Sequence, residues 1–481
     1  MMNFATESET KRPLTAGHIL LLLLFSCAAN AQSILLLGPQ RGLIQSHLHV
    51  NPAFTPQEQF TLSIPPLLPP FPSPGFGFSV SSNAFALSDV IKPGANGQTL
   101  IDTKTWLDNV RPMNTLSAAV QADLLSAGFR LNDRHFFSLN ISNRAEINWD
   151  YSGDMIELLL KGNGSEGILG EEISPYIHLQ GVHYTDIGLG YSTALNNGRL
   201  KAGMRLRYLI GQEHVQTRKS EFNLFTDAAD FAIKGDADIR IQTAGLHNGI
   251  LQGDRELLSS AYLFGTGNRG GGIDAGVTYR INDKLELAAA VRDLGFIRWK
   301  NDVRTYSSKE PGASVEFQGI DLIDYSEEPI TVEEVFDQLT DSLLARFELS
   351  EDNKAYTSML NVKSTFSLAY SINEKQSACL IINNTHYDRR IHPDISISYS
   401  YAPKEWLKTS VAWSYIDRTA GNIGIFLAVQ PGVFQWYLCS DNVLGVFFYD
   451  RYEGIPAPAY ARHASLRAGF NLTLGKSSSA Q

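Results

Sequence analysis

Few residues of this sequence have the types and spacing that chemistry needs. Gly265, Gly267 and Gly270 reproduce a G-x-G-x-x-G pattern, which binds phosphate when a helix N-terminus follows it. Here a predicted strand follows, so we expect no nucleotide site. His47 and His49 would share one face of an extended segment, as metal ligands can. No third ligand lies near them in the sequence, and a chance pair is the simpler interpretation.

Cysteine and nucleophile chemistry is equally sparse. Cys379 and Cys439 fall in predicted strands with phases that point inward. A disulfide needs close Cα atoms, so we expect two isolated thiols. No G-x-S-x-G or H-E-x-x-H motif occurs. The sequence therefore predicts that the protein is not an enzyme and has no cofactor or metal.

The most distinctive charged block runs from Asp293 to Lys300 and includes Arg298. One interpretation is a polar cluster that contacts a ligand or an internal plug. The other is structural: Asp293 satisfies backbone donors where Gly295 bends a strand, and Trp299 anchors a membrane interface.

The elements that would position these residues belong to a large β-rich protein. The chain has 481 residues, of which 43% are hydrophobic, 10% aromatic and 19% charged, with a net charge of −10. This composition excludes a disordered chain and gives no sign of a nucleic-acid binder. Three cysteines exclude a disulfide scaffold. After the N-terminal region no apolar run reaches about 18 residues, which excludes membrane-spanning helices.

The N-terminus predicts export. Lys11 and Arg12 precede the apolar stretch Ile19–Phe25, and Ala29-Asn30-Ala31 fits a cleavage site. We expect residues 1–31 to be a cleaved signal peptide, with Gln32 as the mature start. Leu24 to Cys27 resembles a lipoprotein box, which leaves lipoprotein processing as an alternative.

Alternation with period two dominates the mature chain and predicts half-buried strands. Clear examples, each with an apolar and a polar face, are Phe137–Ile147, Leu200–Ile210, Ile273–Ile281, Ile395–Tyr401, Phe434–Cys439 and Leu466–Leu474. We count about fourteen strand candidates of roughly ten residues. In a membrane barrel the apolar set, with Leu206, faces lipid, and the set with Glu146, Arg205 and Asp274 faces the lumen.

Turn chemistry sorts the connections into two kinds. Short, turn-forming sequences lie at 132–134, 196–198, 282–283, 373–375 and 403–405. Long connections are predicted at about 151–181, 212–272, 306–360 and 450–462. Alternating tight turns and long loops are typical of an outer-membrane barrel.

Two segments are predicted to lie outside the barrel wall. The first, Asn51–Pro74, carries eight prolines, which cannot donate to a β ladder. We therefore interpret residues 32–74 as a plug-like segment in the lumen or across the periplasmic mouth. The second, Thr331–Leu349, has apolar residues at helical spacing and a capping box. It predicts an amphipathic helix within a long loop at about 302–360.

Several motifs together resemble an uncharacterised family of outer-membrane barrels from Bacteroidota. They are the tetrad Asn51, Pro52, Ala53 and Phe54, the hairpin sequence Gly272–Leu285 with Asp274, the block Asp293–Lys300, the stretch Leu158–Gly164, and Ser440-Asp441-Asn442. The family is distantly similar to fatty-acid-transporter barrels and to the accessory barrel of the type IX secretion system. This chain differs from the commonest barrels in ending on a polar tail, residues 476–481, and not on an aromatic residue.

The alternation and the resemblance imply an all-β antiparallel transmembrane barrel over residues 75–475, exported to the outer membrane of a Gram-negative bacterium. Its partners would be outer-membrane lipid and envelope proteins, without nucleic acid. The implied function is a passive transporter or channel for a small substrate, which could be hydrophobic. The alternative is a structural or accessory barrel that docks envelope or secretion-system partners.

Overall fold

A computed structural model describes the chain over residues 35–40, 48–63, 75–93, 99–246, 259–309, 312, 314–318, 330–331, 349–387, 390–447, 449–452, 455–458 and 461–476. Its strands are β1 (Glu58–Ser63), β2 (Gly75–Ser82), β3 (Ile91–Pro93), β4 (Thr99–Ile101), β5 (Met113–Arg130), β6 (His135–Ser152), β7 (Glu172–Ile173), β8 (Ile177–Leu195), β9 (Leu200–Thr226), β10 (Ala232–Ala244), β11 (Asn268–Arg280), β12 (Leu285–Trp299), β13 (Val303–Ser308), β14 (Ser314–Gln318), β15 (Ile330–Thr331), β16 (Leu349–Asp352), β17 (Tyr356–Met359), β18 (Val362–Asn373), β19 (Gln376–Tyr387), β20 (Arg390–Lys404), β21 (Leu407–Ile416), β22 (Thr419–Val429), β23 (Phe434–Ser440), β24 (Tyr449–Tyr452), β25 (Ile455–Pro458) and β26 (His463–Lys476). The described helices are α1 (Leu87–Val90), α2 (Thr103–Asn109), α3 (Gly153–Lys161), α4 (Ser260–Gly265) and α5 (Val443–Phe447). None of them is long and apolar enough to cross a bilayer.

The wall is a closed antiparallel barrel with 14 strand positions. Four positions are shared by more than one strand: β1 with β2; β10 with β11; β12 with β13; and β16 with β17 and β18. In order round the barrel, the positions are β1/β2, β5, β6, β8, β9, β10/β11, β12/β13, β16/β17/β18, β19, β20, β21, β22, β23 and β26. The last strand closes the barrel by pairing with both parts of the first, through Phe60↔Leu474 and Gly75↔Gly469. Closure leaves the wall without a free edge, as a spanning sheet in lipid requires. The predicted fold class is confirmed.

The two ends of the barrel differ in their connections. At one end, which we call the tight-turn end, neighbouring strands are joined by two to four residues, as between β5 and β6 or β18 and β19. The opposite, long-loop end carries the connections that contain α1 to α3, β3, β4, β24 and β25. The chain enters the wall at the tight-turn end, where Glu58 pairs with Lys476.

Part of the predicted long connection 212–272 is wall. β9 continues to Thr226 and pairs with β10 up to Ile233, so these two strands form a tall hairpin. The residues Gln216–Glu221 are mostly polar or charged and are typical of a loop, but Phe222 and Leu224 alternate with Glu221 and Asn223 and are buried. Similarly, β13 and β16 pair within the predicted connection 306–360.

The predicted exclusion of Asn51–Pro74 from the wall is wrong for its centre. Glu58–Ser63 form β1, which pairs with β26 on one side and β5 on the other. The strand contains no proline: Pro56 precedes it and Pro65 follows it. The first wall position is made by β1 and by β2, and the remaining prolines of this segment, at 65–74, lie outside the described residues.

The two faces of the wall have the predicted polarity. Leu206 is 55% exposed on the outside, whereas the neighbouring Arg205 is 2% exposed. Phe434, Trp436 and Leu438 are likewise exposed, and the alternating Gln435, Tyr437 and Cys439 are buried. Cys379 and Cys439 are buried and are not joined in a disulfide, as expected. An apolar outside and a polar inside are the reverse of a water-soluble protein.

A hydrophobic core at the long-loop end joins the helical connections to the upper strands. Trp106 of α2 contacts Trp149 and Tyr151 edge-on, and Met155 and Leu158 of α3 belong to the same cluster. Trp149, on β6, is buried in this core against Trp106 of α2.

Three predictions fall outside the described residues: the signal peptide 1–31, most of the amphipathic helix (332–348), and most of the polar tail (477–481). The proline run 64–74 also lies outside them.

Candidate functional site: the lumen and its N-terminal segment

The described residues that precede β1 lie inside the barrel. Residues 35–40 contact inward-facing side chains of β19 to β23, and residues 48–54 contact those of β5 to β12. We call these two stretches together the N-terminal segment. It contacts opposite parts of the wall, so it crosses the lumen.

The tetrad Asn51–Phe54 forms a compact turn on the wall. Asn51 Oδ1 accepts from the backbone N–H of Ala53 at 2.8 Å, and the N–H of Phe54 donates to the Asn51 carbonyl at 2.9 Å. The amide Nδ2 of Asn51 donates to the carbonyls of Val277 at 3.3 Å and Ala289 at 3.2 Å. An asparagine is needed here because its side chain both closes the turn and binds two wall strands.

Two wall glycines make room for this turn. A Cβ at Gly203 would lie 2.3 Å from the Pro52 carbonyl oxygen, and one at Gly276 would lie 2.0 Å from Asn51 Oδ1. These glycines pair across β9 and β11, and Gly203 also pairs with Ser192. The Ser192 hydroxyl donates to the Pro52 carbonyl at 2.5 Å. The turn therefore packs against two wall residues that have no side chain, Gly203 and Gly276. We call this place the seat of the turn.

Residues 35–40 make weaker contacts on the other side of the lumen. Leu36 and Leu37 pack with Phe426 and Tyr437 in an apolar cluster that also contains Phe54. Gln40 Nε2 donates to the Ser410 hydroxyl at 2.6 Å. No charged side chain binds this stretch in the described contacts apart from Asp441, which accepts from the Leu36 N–H at 3.3 Å.

Beneath the turn lies a buried network of charged side chains. Asp274 binds Arg205 at 2.5 Å and Arg207 at 3.4 Å, and Asp186 binds Arg207 at 2.9 Å. Asp293 is in contact with Arg207 as well. Burying charge is costly unless each group is paired, and here each carboxylate meets at least one guanidinium.

A β-bulge aims Asp293 into this network. β11 and β12 shift register between Ile273 and Ala275, and Asp293 adopts φ 59°. As a result Arg292 and Asp293, although adjacent, are both buried. The Asp293 N–H donates to Asp274 Oδ1 at 2.8 Å. A bulge re-aims side chains in this way without breaking the sheet.

His49 joins the N-terminal segment to the network. Its Nδ1 lies 3.0 Å from guanidinium nitrogens of both Arg144 and Arg205, and its Nε2 lies 3.3 Å from Asp123 Oδ1. Guanidinium groups only donate, so Nδ1 accepts and a neutral imidazole carries its proton on Nε2. Arg292 donates to the His49 carbonyl at 2.8 Å. Among the described residues, no group of three His, Cys, Asp or Glu is arranged to hold a metal.

The structure separates the residues of the Asp293–Lys300 block. Asp293 lies in the network, whereas Arg298 is exposed on the outer face and donates to Thr357 at 3.3 Å. Trp299, predicted to anchor an interface, is 0% exposed; its indole N–H donates to Ser358 at 2.9 Å. The bulge is the reason, because it inverts the phase of every residue after it. At Gly295 the neighbouring strand comes close: a Cβ there would lie 2.8 Å from the Gly271 carbonyl oxygen.

The remaining predicted site residues, Asp441 and Asn442, are buried where β23 ends. Asp441 accepts from Leu36, and its own N–H donates to the Ser465 hydroxyl at 2.8 Å. Asn442 Nδ2 donates to the His463 carbonyl at 2.9 Å. Asp441 thus contacts the N-terminal segment, and Asn442 fixes the connection that follows β23.

Sequence reasoning missed the residues that hold the network together. Asp123, Arg144, Asp186, Arg292 and Lys363 were not singled out, although all are buried and charged. Alternation gives the signal for Arg144 and Asp186, because both stand on polar faces of predicted strands. Nothing in the sequence predicts that His49 meets Asp123.

Two cavities flank the N-terminal segment. At the tight-turn end a cavity of about 720 Å³ is lined by Thr55, Pro56 and Gln57 and by the basic side chains of Arg130, Arg134, Lys201 and Arg280. On the other side a cavity of about 120 Å³ is lined by Leu35, by hydroxyl and amide side chains, and by carboxylates. Polar and charged groups thus border the segment on both sides.

Comparisons with other proteins give a family and distant structural likenesses. The model of a family of unknown function, DUF5723, matches residues 52–441. No protein with a curated description matches the sequence. The crystal structure of the toluene transporter TodX from P. putida is 12% identical, covers 90% of this chain and 94% of its own, and has a TM-score of 0.40. A FadL homologue from Pseudomonas aeruginosa is 10% identical, with coverages of 93% and 99% and a TM-score of 0.29. These likenesses are weak, and the barrel rests on its own strand pairing.

Proposed function

The chain belongs to DUF5723, a family of unknown function, and we propose that it is an outer-membrane channel for small polar solutes that its N-terminal segment holds closed. The observation that carries the proposal is the position of this segment. It is continuous with the first wall strand, crosses the lumen, and lies between two polar cavities.

The outer surface supports the membrane location. Large apolar side chains such as Leu189, Leu206, Phe296, Phe366 and Ile397 are exposed on many strands. In water this surface would be an unusually large apolar patch, whereas in lipid it is the expected face of a spanning barrel. By the usual arrangement of such barrels, the tight-turn end faces the periplasm and the long-loop end faces outward.

The lumen supports polar cargo over hydrophobic cargo. Its wall carries Ser396, Ser398, Ser400 and Ser410 on neighbouring strands, besides the charged network. Removing the N-terminal segment would expose these groups to water, which hydrates them well. A hydrophobic solute would have to cross them without partners, at the cost that any unpaired polar contact carries.

The seat of the Asn51–Phe54 turn offers a test that leaves the wall intact. In Gly203→Ala, the added methyl would overlap the Pro52 carbonyl, which is backbone and cannot rotate away. The turn must then leave its seat. The matched control is Gly271→Ala in β11, where the new Cβ meets only the Arg207 carbonyl at 3.7 Å, an ordinary contact distance.

The measurement is swelling of proteoliposomes in small sugars and amino acids. We expect Gly203→Ala to accelerate swelling, while the wild type and Gly271→Ala remain slow. Both variants should keep the difference in gel migration between unheated and boiled samples, which reports a folded barrel. An accessory barrel would show no swelling in any variant, and that result would overturn the proposal.

A further inference from the structure

The cavity of about 120 Å³ lies between the N-terminal segment and the long-loop end. Its lining comes from strands that are distant in sequence but meet round the lumen. Leu35 borders it on the side of the N-terminal segment, and Asp417, in the turn after β21, borders it at the long-loop end. None of the contacts that hold the Asn51–Phe54 turn involves this cavity.

In the described part of the chain, two histidines face the cavity with ring nitrogens that have no hydrogen-bond partner. His463 is 3% exposed, and neither Nδ1 nor Nε2 has a hydrogen-bond partner. His392 stacks on Tyr387 with ring centroids 3.8 Å apart, and its Nε2 is buried without a partner. Buried polar atoms are almost always paired, so these nitrogens indicate a missing ligand. A neutral imidazole offers it one acceptor and one donor.

Carboxylates set the charge of the cavity. Asp394, Asp417 and Asp441 line it, together with Glu146. Asp417 accepts from the Ser117 hydroxyl at 2.8 Å, and Asp394 accepts from the Asp417 N–H at 3.2 Å. Neither of these contacts brings a positive charge.

The described lining residues include too few basic side chains to balance these carboxylates. Among the described residues that border this cavity, Lys363 is the one Lys or Arg, and its ammonium already contacts Glu146 and Asp293. The local excess of negative charge attracts a cation.

We propose that this cavity binds a small ammonium compound that also carries a hydroxyl group. The ammonium donates to the carboxylates and to an imidazole nitrogen, and the hydroxyl oxygen accepts from an imidazole N–H. A carboxylic acid group in place of the hydroxyl would be repelled. The cavity, of about 120 Å³, is small, so a ligand of a few heavy atoms suits it. The inference deepens the proposed channel function and rests on it, because it names the class of solute that the lumen selects.

The test uses 2-aminoethanol as the probe and the full-length mature protein in detergent, with binding followed by calorimetric titration. Ethane-1,2-diol has the same size and hydroxyl but no charge, and glycolate carries the opposite charge. We expect saturable binding of 2-aminoethanol, at least tenfold weaker binding of the diol, and none of glycolate.

Two variants locate the binding within the chain. Asp417→Asn and His463→Phe should each weaken binding of 2-aminoethanol about tenfold or more, the effect of losing one charge-assisted or one buried hydrogen bond. Asp283→Asn, in the exposed turn between β11 and β12, should leave binding unchanged.

Equal affinity for the amine and the diol would overturn the inference, as would absence of saturable binding or insensitivity to both lumen variants. The ligand comparison decides the matter even if one variant fails to fold. Swelling in Gly203→Ala without binding of 2-aminoethanol would refute this inference and leave the channel intact. Binding of 2-aminoethanol without swelling would refute the channel function and leave this inference standing.

Discussion

The outer surface and the lumen of this barrel are made by the same strands but are organised on different principles. The outside repeats one simple pattern, in which every second residue is apolar and no particular partner matters. Inside, the charged residues of the buried network have specific partners from other strands and from the N-terminal segment, as Arg144 has in Asp186, Asp293 and His49. The comparison teaches that lipid selects for residue class, whereas the lumen selects for individual contacts.

The largest effect should come from removing a lumen charge. Asp293→Asn withdraws the negative charge that faces Arg207, Arg144 and Lys363, leaving these buried cations short of a partner. We expect a loss of about 3–5 kcal/mol in the free energy of unfolding, measured by urea titration in lipid. Asp283→Asn in the exposed turn is the matched control. Equal stability of the two variants would mean that water already reaches the network.

A comparable loss should follow from Trp299→Ala. The Trp299 ring is fully buried against His214, at a centroid distance of 5.0 Å, and its truncation leaves a cavity. Substitutions of this kind cost about 3–5 kcal/mol. If Trp299 instead anchored the membrane interface, the variant would be mildly affected, and the same urea titration would show it.

On the outer surface, Leu206→Arg should cost about 2–4 kcal/mol, because it places a charge against hydrocarbon. Leu206→Ala, which adds no charge, is the control and should assemble almost normally. The readout is the heat-modifiable fraction recovered in the outer membrane. Arg205→Leu is not a neutral comparison, because the Arg205 guanidinium binds Asp274. Normal assembly of Leu206→Arg would contradict the assignment of the faces.

The smallest effect is expected at Arg298. Its side chain is exposed on the outside near the long-loop end, so Arg298→Leu should change stability by less than about 0.5 kcal/mol. A large loss of stability would mean that Arg298 faces the lumen and that β12 has no bulge at Asp293. Together with Trp299→Ala, this variant tests the phase of β12 on both sides of the sheet.

The sequence predicts the wall far better than the contents of the lumen. Alternation gives the face of each residue from Met204 to Tyr208, because a strand repeats with a period of two, but it fails at Ile210, which is predicted to face lipid and is 4% exposed. The same rule fails for Trp299, since one unpaired residue at Asp293 inverts it, and no local signal marks the bulge. It also misses the upper part of β9, because Gln212–Glu221 is mostly polar and its apolar alternation resumes only at Phe222.

For the candidate site, the tetrad Asn51–Phe54 could be singled out from its resemblance to other barrels, and a place in the lumen or across the periplasmic mouth could be predicted from the eight prolines of Asn51–Pro74. Its actual neighbours, such as Gly203 and Ser192, could not, because they lie more than a hundred residues away and share no pattern with it. The turn fits against the wall because Gly203 has no side chain. A single sequence does not distinguish such a glycine from any other.

The most direct test of the closed-channel account is single-channel recording in planar bilayers with residues 35–56 deleted. This deletion removes the N-terminal segment but keeps β1, so the wall still closes, and the exposed lumen charges become hydrated. The account predicts steady currents through the deletion variant and none, or rare brief openings, through the full-length mature protein. A folded, heat-modifiable deletion variant that conducts no better than the full-length protein would contradict it.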